Sequence, residues 1–347
     1  NLCDIDKFKE FRQESFFKNY IKSIKFIPAF QKFGFSQYYL YIHPIDMDAI
    51  NLNELLSNTF QTIKYPTCFD NSNSFLIKCI IPNNSSNTVE TYFSQLIKKR
   101  HVIREYCLFS IKRVYSLFQF SSNLNAEGWN YNKDEFKKYL QTVLFNPDYN
   151  IPIPKLKEFN INKDSSFFFT PKSPEYKSLA QIYNWRSIDI KSYLGSRNFT
   201  IINAIKDLLQ KNLIFPYLSL KNLKLHTKIV IILPNIRQEH IEKLINIFSF
   251  FNYGFIYEIE GEYYIHGFPQ EVNFQNGLMI KLYLPKTELH EFERLFDLIF
   301  EYLEIKDYLI LNNLISGKEL IKSTFGNLDF LKDHNPLKNS TKKVKTE

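Results

Sequence analysis

Asn276-Gly277-Leu278-Met279-Ile280-Lys281-Leu282-Tyr283-Leu284-Pro285 lies without a gap over Asn73-Ser74-Phe75-Leu76-Ile77-Lys78-Cys79-Ile80-Ile81-Pro82. Asn, Ile, Lys and Pro coincide, and every other position is apolar in both apart from Ser74 and Gly277. A looser match supports it. Phe26-Ile27-Pro28 followed by Tyr38–Pro44 parallels Ile214-Phe215-Pro216 followed by Lys228–Pro234, each an apolar-Pro step leading to an apolar strand that ends in Pro. Two such matches at comparable spacing predict a unit of about 190–200 residues present twice.

Working outward in the second copy, the pattern predicts strand Lys228–Leu233, helix Gln238–Phe250, a long strand or hairpin Phe255–Gly267, strand Leu278–Leu284, helix Glu288–Leu303 and strand Tyr308–Leu311. Ile241, Leu244, Ile245 and Phe248 recur at helical spacing, as do Leu289, Phe292, Leu295, Phe296, Ile299 and Leu303, so each helix turns one apolar stripe to a sheet. The first copy reads as strand Tyr38–Ile42, helix Leu52–Ile63, strand Phe75–Ile81, helix Val89–Lys99 and strand Tyr106–Ile111. Two βαββαβ ferredoxin-like sandwiches follow.

Ahead of the second sandwich lies a helix-turn-helix pattern. Ser187 is a candidate cap for a short helix carrying Ile190 and Leu194, Gly195 supplies a turn, and the next helix is punctuated by Ile201, Ile205, Leu208 and Leu209. That spacing leaves Ser196, Arg197, Asn198, Thr200, Asn203 and Lys206 as candidate DNA contacts, Arg and Asn for base edges and Lys and Thr for phosphates. Leu194-Gly195, Thr200-Ile201, Ile205-Lys206-Asp207-Leu208 and Leu213-Ile214 resemble the winged helix of the leucine-responsive (Lrp/AsnC, feast/famine) regulators. Asn212 stands where that family has Gly, a mild departure because Asn tolerates a left-handed helix cap. The resemblance covers roughly residues 174–311, more faintly 8–111, and implies a winged helix leading through a strand into a βαββαβ effector domain. Gly261-Glu262-Tyr263-Tyr264 is similar to the family's Gly-x-Tyr-Asp turn, with Tyr264 replacing the acid.

The fold class expected is therefore α+β, a winged helix-turn-helix plus two tandem ferredoxin-like sandwiches, with the first winged helix incomplete. The divisions expected are a partial winged-helix element over 1–36, sandwiches over 37–120 and 227–325, a linker with a short helix over 121–172, the winged helix over 173–226 and a disordered basic tail over 326–347. A basic helix around Phe8–Lys22 reads equally as a packing or a recognition element.

Charge is unevenly placed. Residues 186–228 hold eight basic side chains against Asp189 and Asp207, whereas 229–331 hold fifteen acids against eight bases, so a polyanion is steered to the first segment. The chain has 347 residues, a formal charge of +8, 34 Phe, 22 Tyr and 9 Gly, ample for two or three cores and short of glycine for phosphate loops. No apolar run reaches the ~20 residues that span a bilayer. Cys3, Cys68, Cys79 and Cys107 lack metal-ligand spacing and read as thiols in a reducing cytoplasm. No Walker, nucleophile-elbow or H-E-x-x-H motif occurs. His43 and His266 read as structural.

These observations predict a cytoplasmic, sequence-specific DNA-binding regulator that is not an enzyme and needs no cofactor, with double-stranded DNA as partner, a possible small-molecule effector and possible homo-oligomers. The alternative is a winged-helix docking module in a larger assembly. A third reading, RNA binding, requires Tyr39, Tyr41 or Tyr283 to point outward.

Overall fold

The computed structural model describes residues 19–45, 61–66, 74–82, 103–117, 124–125, 128–129, 133–145, 156–160, 173–184, 199–221, 225, 227–251, 253–265, 272–285, 289–311 and 318–322. In the second half, β10 (Thr227–Leu233), α4 (Gln238–Phe248), β11 (Gly254–Ile265), β12 (Val272–Leu284), α5 (Leu289–Tyr302) and β13 (Leu309–Leu311) follow one another as the apolar stripes require. Their strands lie side by side in the order β13-β10-β12-β11. The first half supplies β2 (Phe35–Pro44), β3 (Gln61–Pro66), β4 (Phe75–Pro82) and β5 (Ile103–Ser116), in the order β5-β2-β4-β3. Each half thus has the fourth-first-third-second strand order of a ferredoxin-like sandwich, and the α+β class stands.

The halves join by strand pairing. β11 runs antiparallel to β5 from Phe255 opposite Ser116 to Ile265 opposite Glu105. Beyond β13 the chain continues into β14 (Lys318–Lys322), which pairs with β3 at the other end of the strand order. The sheet curls, and its first and last strands, β13 and β14, are neighbours in sequence. Over one end runs a two-stranded ribbon of β1 (Ile21–Pro28) and β9 (Ile214–Leu220), in which Phe26, Ile27 and Pro28 face Pro216, Phe215 and Ile214. Each apolar-Pro step thus faces its own repeat read backwards, the signature of a pseudo-twofold axis between Ile27 and Phe215.

Side chains on the enclosed face of the sheet form one core drawn from both halves, including Tyr39, Tyr41, Cys107, Phe109, Val230, Ile232, Tyr257, Tyr263 and Met279, with Phe215 of the ribbon. The opposite face of the second half packs Ile229, Ile231, Ile280 and Leu282 under α4 and α5. At roughly 1.5–3 kcal/mol per fully buried apolar side chain, these two layers dominate the stability.

Several expectations change. Residues 61–63, expected at the end of a helix, lie in β3, and Ile21 and Lys22, expected in the basic helix, open β1. Asn19 and Tyr20 are helical, as expected, and the other helical residues expected in the first half lie outside the described ones. Gly261 is mid-strand and not at a turn: a Cβ there would strike the Leu108 carbonyl and the Phe109 backbone of β5, so glycine is what lets the halves approach. The stretch expected as a spacer packs into the molecule. Its helix α1 (Lys133–Phe145) places Phe136 against Phe250 and Phe251, the Tyr139 hydroxyl donates to the Asn246 carbonyl at 2.7 Å, and β8 (Lys157–Asn160) pairs with β5. A small hairpin, β6 (Leu124–Asn125) with β7 (Gly128–Trp129), precedes α1.

Candidate functional site

At the end of the curled sheet away from the ribbon, β2 finishes where β5 begins, and His43 pairs in register with Glu105. Residues opposite one another share a face, and alternate residues along a strand share it too, so His43 and Glu105 lie on the face of Tyr41. His43 Nδ1 is 3.3 Å from Glu105 Oε1, and the Tyr41 hydroxyl donates to the same oxygen at 2.9 Å. Both His43 and Glu105 are half-buried. Burial and the neighbouring Glu105 carboxylate hold the Tyr41 hydroxyl above its ordinary range, so it stays protonated and remains a donor.

These groups line a cleft of about 690 Å³, with Ser74 and Arg104 from the first half and Glu293, Asp297 and Tyr308–Leu311 from the second. The second half contributes its own tyrosine-carboxylate contacts nearby: the Tyr308 hydroxyl donates to Asp297 Oδ1 at 3.0 Å, and the Tyr263 hydroxyl to Asp307 Oδ2 at 2.7 Å. Burial first, then the paired carboxylate, raises the pKa of each tyrosine. The cleft is concave, mixed in polarity and built by both halves, the usual form of a small-molecule site. A carboxylate that accepts the Nδ1 proton of histidine fixes the ring and leaves Nε2 for proton exchange with a ligand. Among the described residues no group of His, Cys, Asp and Glu is placed to hold a metal.

The residues expected to read DNA are only partly placed. Ser196, Arg197 and Asn198 lie outside the described residues, and Thr200 is in α3 (Phe199–Gln210) by its backbone. Asn203 is exposed and Lys206 half-buried on that helix. Its back, Ile205 and Leu208, packs on Tyr176 and Leu179 of α2 (Pro174–Asn184) and on Phe30, Phe33 and Phe35. Asn212 takes the left-handed conformation, φ 52°, that ends α3. Lys211 is held by Glu175 at 2.7 Å and Asp207 at 2.9 Å, which neutralises part of the basic surface. Tyr39 and Tyr41 are buried in the core between the halves, so two of the aromatics that RNA binding required face inward. His266 lies outside the described residues. His43, expected to be structural, lines the cleft instead; its partner Glu105 is 62 residues away and only strand register joins them, so no local spacing marks the site.

No family model matches the chain, and no curated protein matches it. Among solved structures, the siroheme decarboxylase NirDL is similar over 97% of this chain and 88% of that one, at 11% identity and a TM-score of 0.42, both alone and in complex with an iron-uroporphyrin III analogue. Aspartate kinase from Synechocystis covers 84% of this chain at 8% identity and a TM-score of 0.28, the match spanning 44% of the kinase. The ferredoxin-like arrangement rests on the strand order of each half, and none of these comparisons bears on DNA binding or transcription regulation. The expectation that the chain is not an enzyme is not carried further, the first of these neighbours being named as a decarboxylase. Among the described residues no helix is long and apolar enough to cross a membrane.

Proposed function

We propose that the chain is an enzyme of tandem Lrp/AsnC-like architecture that performs general acid-base chemistry on a small polar molecule in the cleft at His43. The observation that carries this reading is the Tyr41-Glu105-His43 contact set on the wall of a cleft built by both halves. Glu105 orients the imidazole, Tyr41 keeps Glu105 in place, and His43 passes the proton. Arg104 at the rim suits an anionic group on the molecule, and Glu293 and Asp297 suit a donor or cationic group on its other side.

The test is incubation of the intact chain with a panel of amino acids and of mono-, di- and tricarboxylic acids, followed by proton NMR. Consumption of one compound by the wild type, lost in His43→Asn and reduced ~100-fold or more in Glu105→Gln, is the expected result. A compound consumed equally by wild type and His43→Asn, or none consumed or bound, sinks the reading.

A second reading, a sequence-specific DNA-binding regulator whose cleft senses an effector, is favoured by the exposure of Asn203 on a helix whose apolar back is packed. Salt-sensitive duplex affinity that falls on Asn203→Ala and Lys206→Ala supports it; indifference to both substitutions removes it.

A further inference from the structure

Inside the cleft at His43 the donors are spent on the wall itself. Tyr41 and Tyr308 each carry one hydroxyl proton, and each gives it to a carboxylate, Tyr41 to Glu105 Oε1 at 2.9 Å and Tyr308 to Asp297 Oδ1 at 3.0 Å. Ser74 is hydrogen-bonded to Tyr41, and because the Tyr41 proton already goes to Glu105, the Ser74 hydroxyl is the donor there. His43 Nδ1 also meets Glu105 Oε1, at 3.3 Å, which leaves Nε2 with its lone pair. The second oxygens of Glu105 and Asp297 make none of these contacts. The wall therefore offers a bound molecule acceptors from both halves of the chain.

Arg104 is the exception, and its place sets it apart. It is the extra residue where the register shifts between the His43–Glu105 and Pro44–Ile103 pairs, and it is exposed. Its charge is screened by solvent at the mouth, whereas Glu105 is half-buried. Three carboxylates, Glu105, Glu293 and Asp297, line the cleft with that one guanidinium. Glu293 and Asp297 belong to the stretch 229–331 in which acids outnumber bases fifteen to eight, so the local field draws cations although the whole chain is basic. Leu309, Ile310 and Leu311 line the same cleft and give a carbon chain an apolar surface to lie on.

Resting on the acid-base reading of this cleft, we propose that the molecule it takes is an amine, bound as its ammonium ion between Glu105 and Asp297 with its carbon chain on Leu309–Leu311. An ammonium group brings three donors and no acceptor, the complement of a wall that has acceptors to spare. A carboxylate in the same place sets lone pairs against lone pairs and adds a negative charge beside Glu105. An anionic group on the molecule, where there is one, lies out at Arg104.

Titration calorimetry of the intact chain with cadaverine, δ-aminovalerate and glutarate tests this, because the three share a chain length and differ only in their charged ends. Saturable binding of both amines is expected, with glutarate about tenfold or more weaker. Asp297→Asn weakens both amines about tenfold or more, and Glu242→Gln, on the exposed face of α4, leaves them unchanged. If Asp297→Asn fails to fold, the order of the three probes on the wild type still decides. Failure of the amine and failure of the chemistry are separable. Glutarate bound more tightly than either amine overturns the amine and leaves proton transfer by His43 standing, on an acid. Amine binding that Asp297→Asn weakens, with no compound consumed, supports the amine and removes the chemistry. Amine binding unaltered in Asp297→Asn, or no saturable binding of any probe, overturns the proposal.

Discussion

Ile27 of β1 stands opposite Phe215 of β9, each the middle residue of the apolar-Pro step of its own half of the chain. A residue that faces its own repeat lies on a symmetry axis, so one contact records the whole arrangement: two sandwiches in a single chain, related as two subunits of a dimer would be.

Phe215 is buried and its ring centre is 5.4 Å from that of Phe159, across from the core that both halves share. Phe215→Ala is expected to destabilise by about 3 kcal/mol, the transfer term plus the cavity left behind. Urea unfolding measures it. A loss below ~1 kcal/mol means that the ribbon only covers the core and does not belong to it.

Gly261 meets the backbone of β5 where the halves join. Gly261→Ala forces that seam apart and is expected to cost about 3 kcal/mol or more, with loss of two-state unfolding as the halves separate. Coincident transitions by fluorescence and circular dichroism at the wild-type midpoint would refute the close approach.

Arg113 spans the same seam, its Nε 3.1 Å from Glu158 and its Nη1 3.5 Å from Glu258, with the Tyr115 hydroxyl donating to Glu258. The Arg113 guanidinium is about one-third exposed, so solvent screening leaves Arg113→Ala a cost under about 1 kcal/mol. The contrast with Gly261→Ala ranks shape above charge at the seam. Equal losses in the two variants would reverse that ranking.

Lys228 supplies a pH test. Its folded pKa of about 6 lies below its ordinary value of 10.5, so between those limits the unfolded chain binds a proton that the folded one does not. This residue's contribution therefore makes the protein more stable as pH rises from about 6 to 10.5, and its cost is full below 6. Lys228→Met removes that cost. The variant is expected to exceed wild type by ~2 kcal/mol at pH 6 and to match it near pH 10.5. Thermal midpoints across that range measure it, and a pH-independent difference would show Lys228 already charged in the folded state.

Most of the second half could be read from its residues, because Ile241, Leu244, Ile245 and Phe248 declare a helix by spacing alone and the Lys228–Leu233 run declares a strand. The repeat of Lys78 and Lys281 placed the first half by analogy. What spacing does not carry is which strand lies beside which. The pairing of Phe255–Ile265 with Glu105–Ser116 joins residues about 150 apart, and His43 meets Glu105 only through such pairing. A lone histidine in an apolar strand has no local mark that separates a core residue from one at a cleft. The helix-turn-helix residues had the opposite fate: their pattern is local, so they stood out in the sequence, yet much of their surrounding lies outside the described residues.

The pairing of Lys318–Lys322 with Gln61–Pro66 links two segments some 255 residues apart in the chain. During synthesis β3 emerges long before its neighbour, and its outer backbone groups wait unpaired through that interval, open to a second nascent copy. A sheet whose last strand arrives so late folds slowly for its size, and a ribosome that stops short of Lys318 releases a chain in which β3 lacks that neighbour.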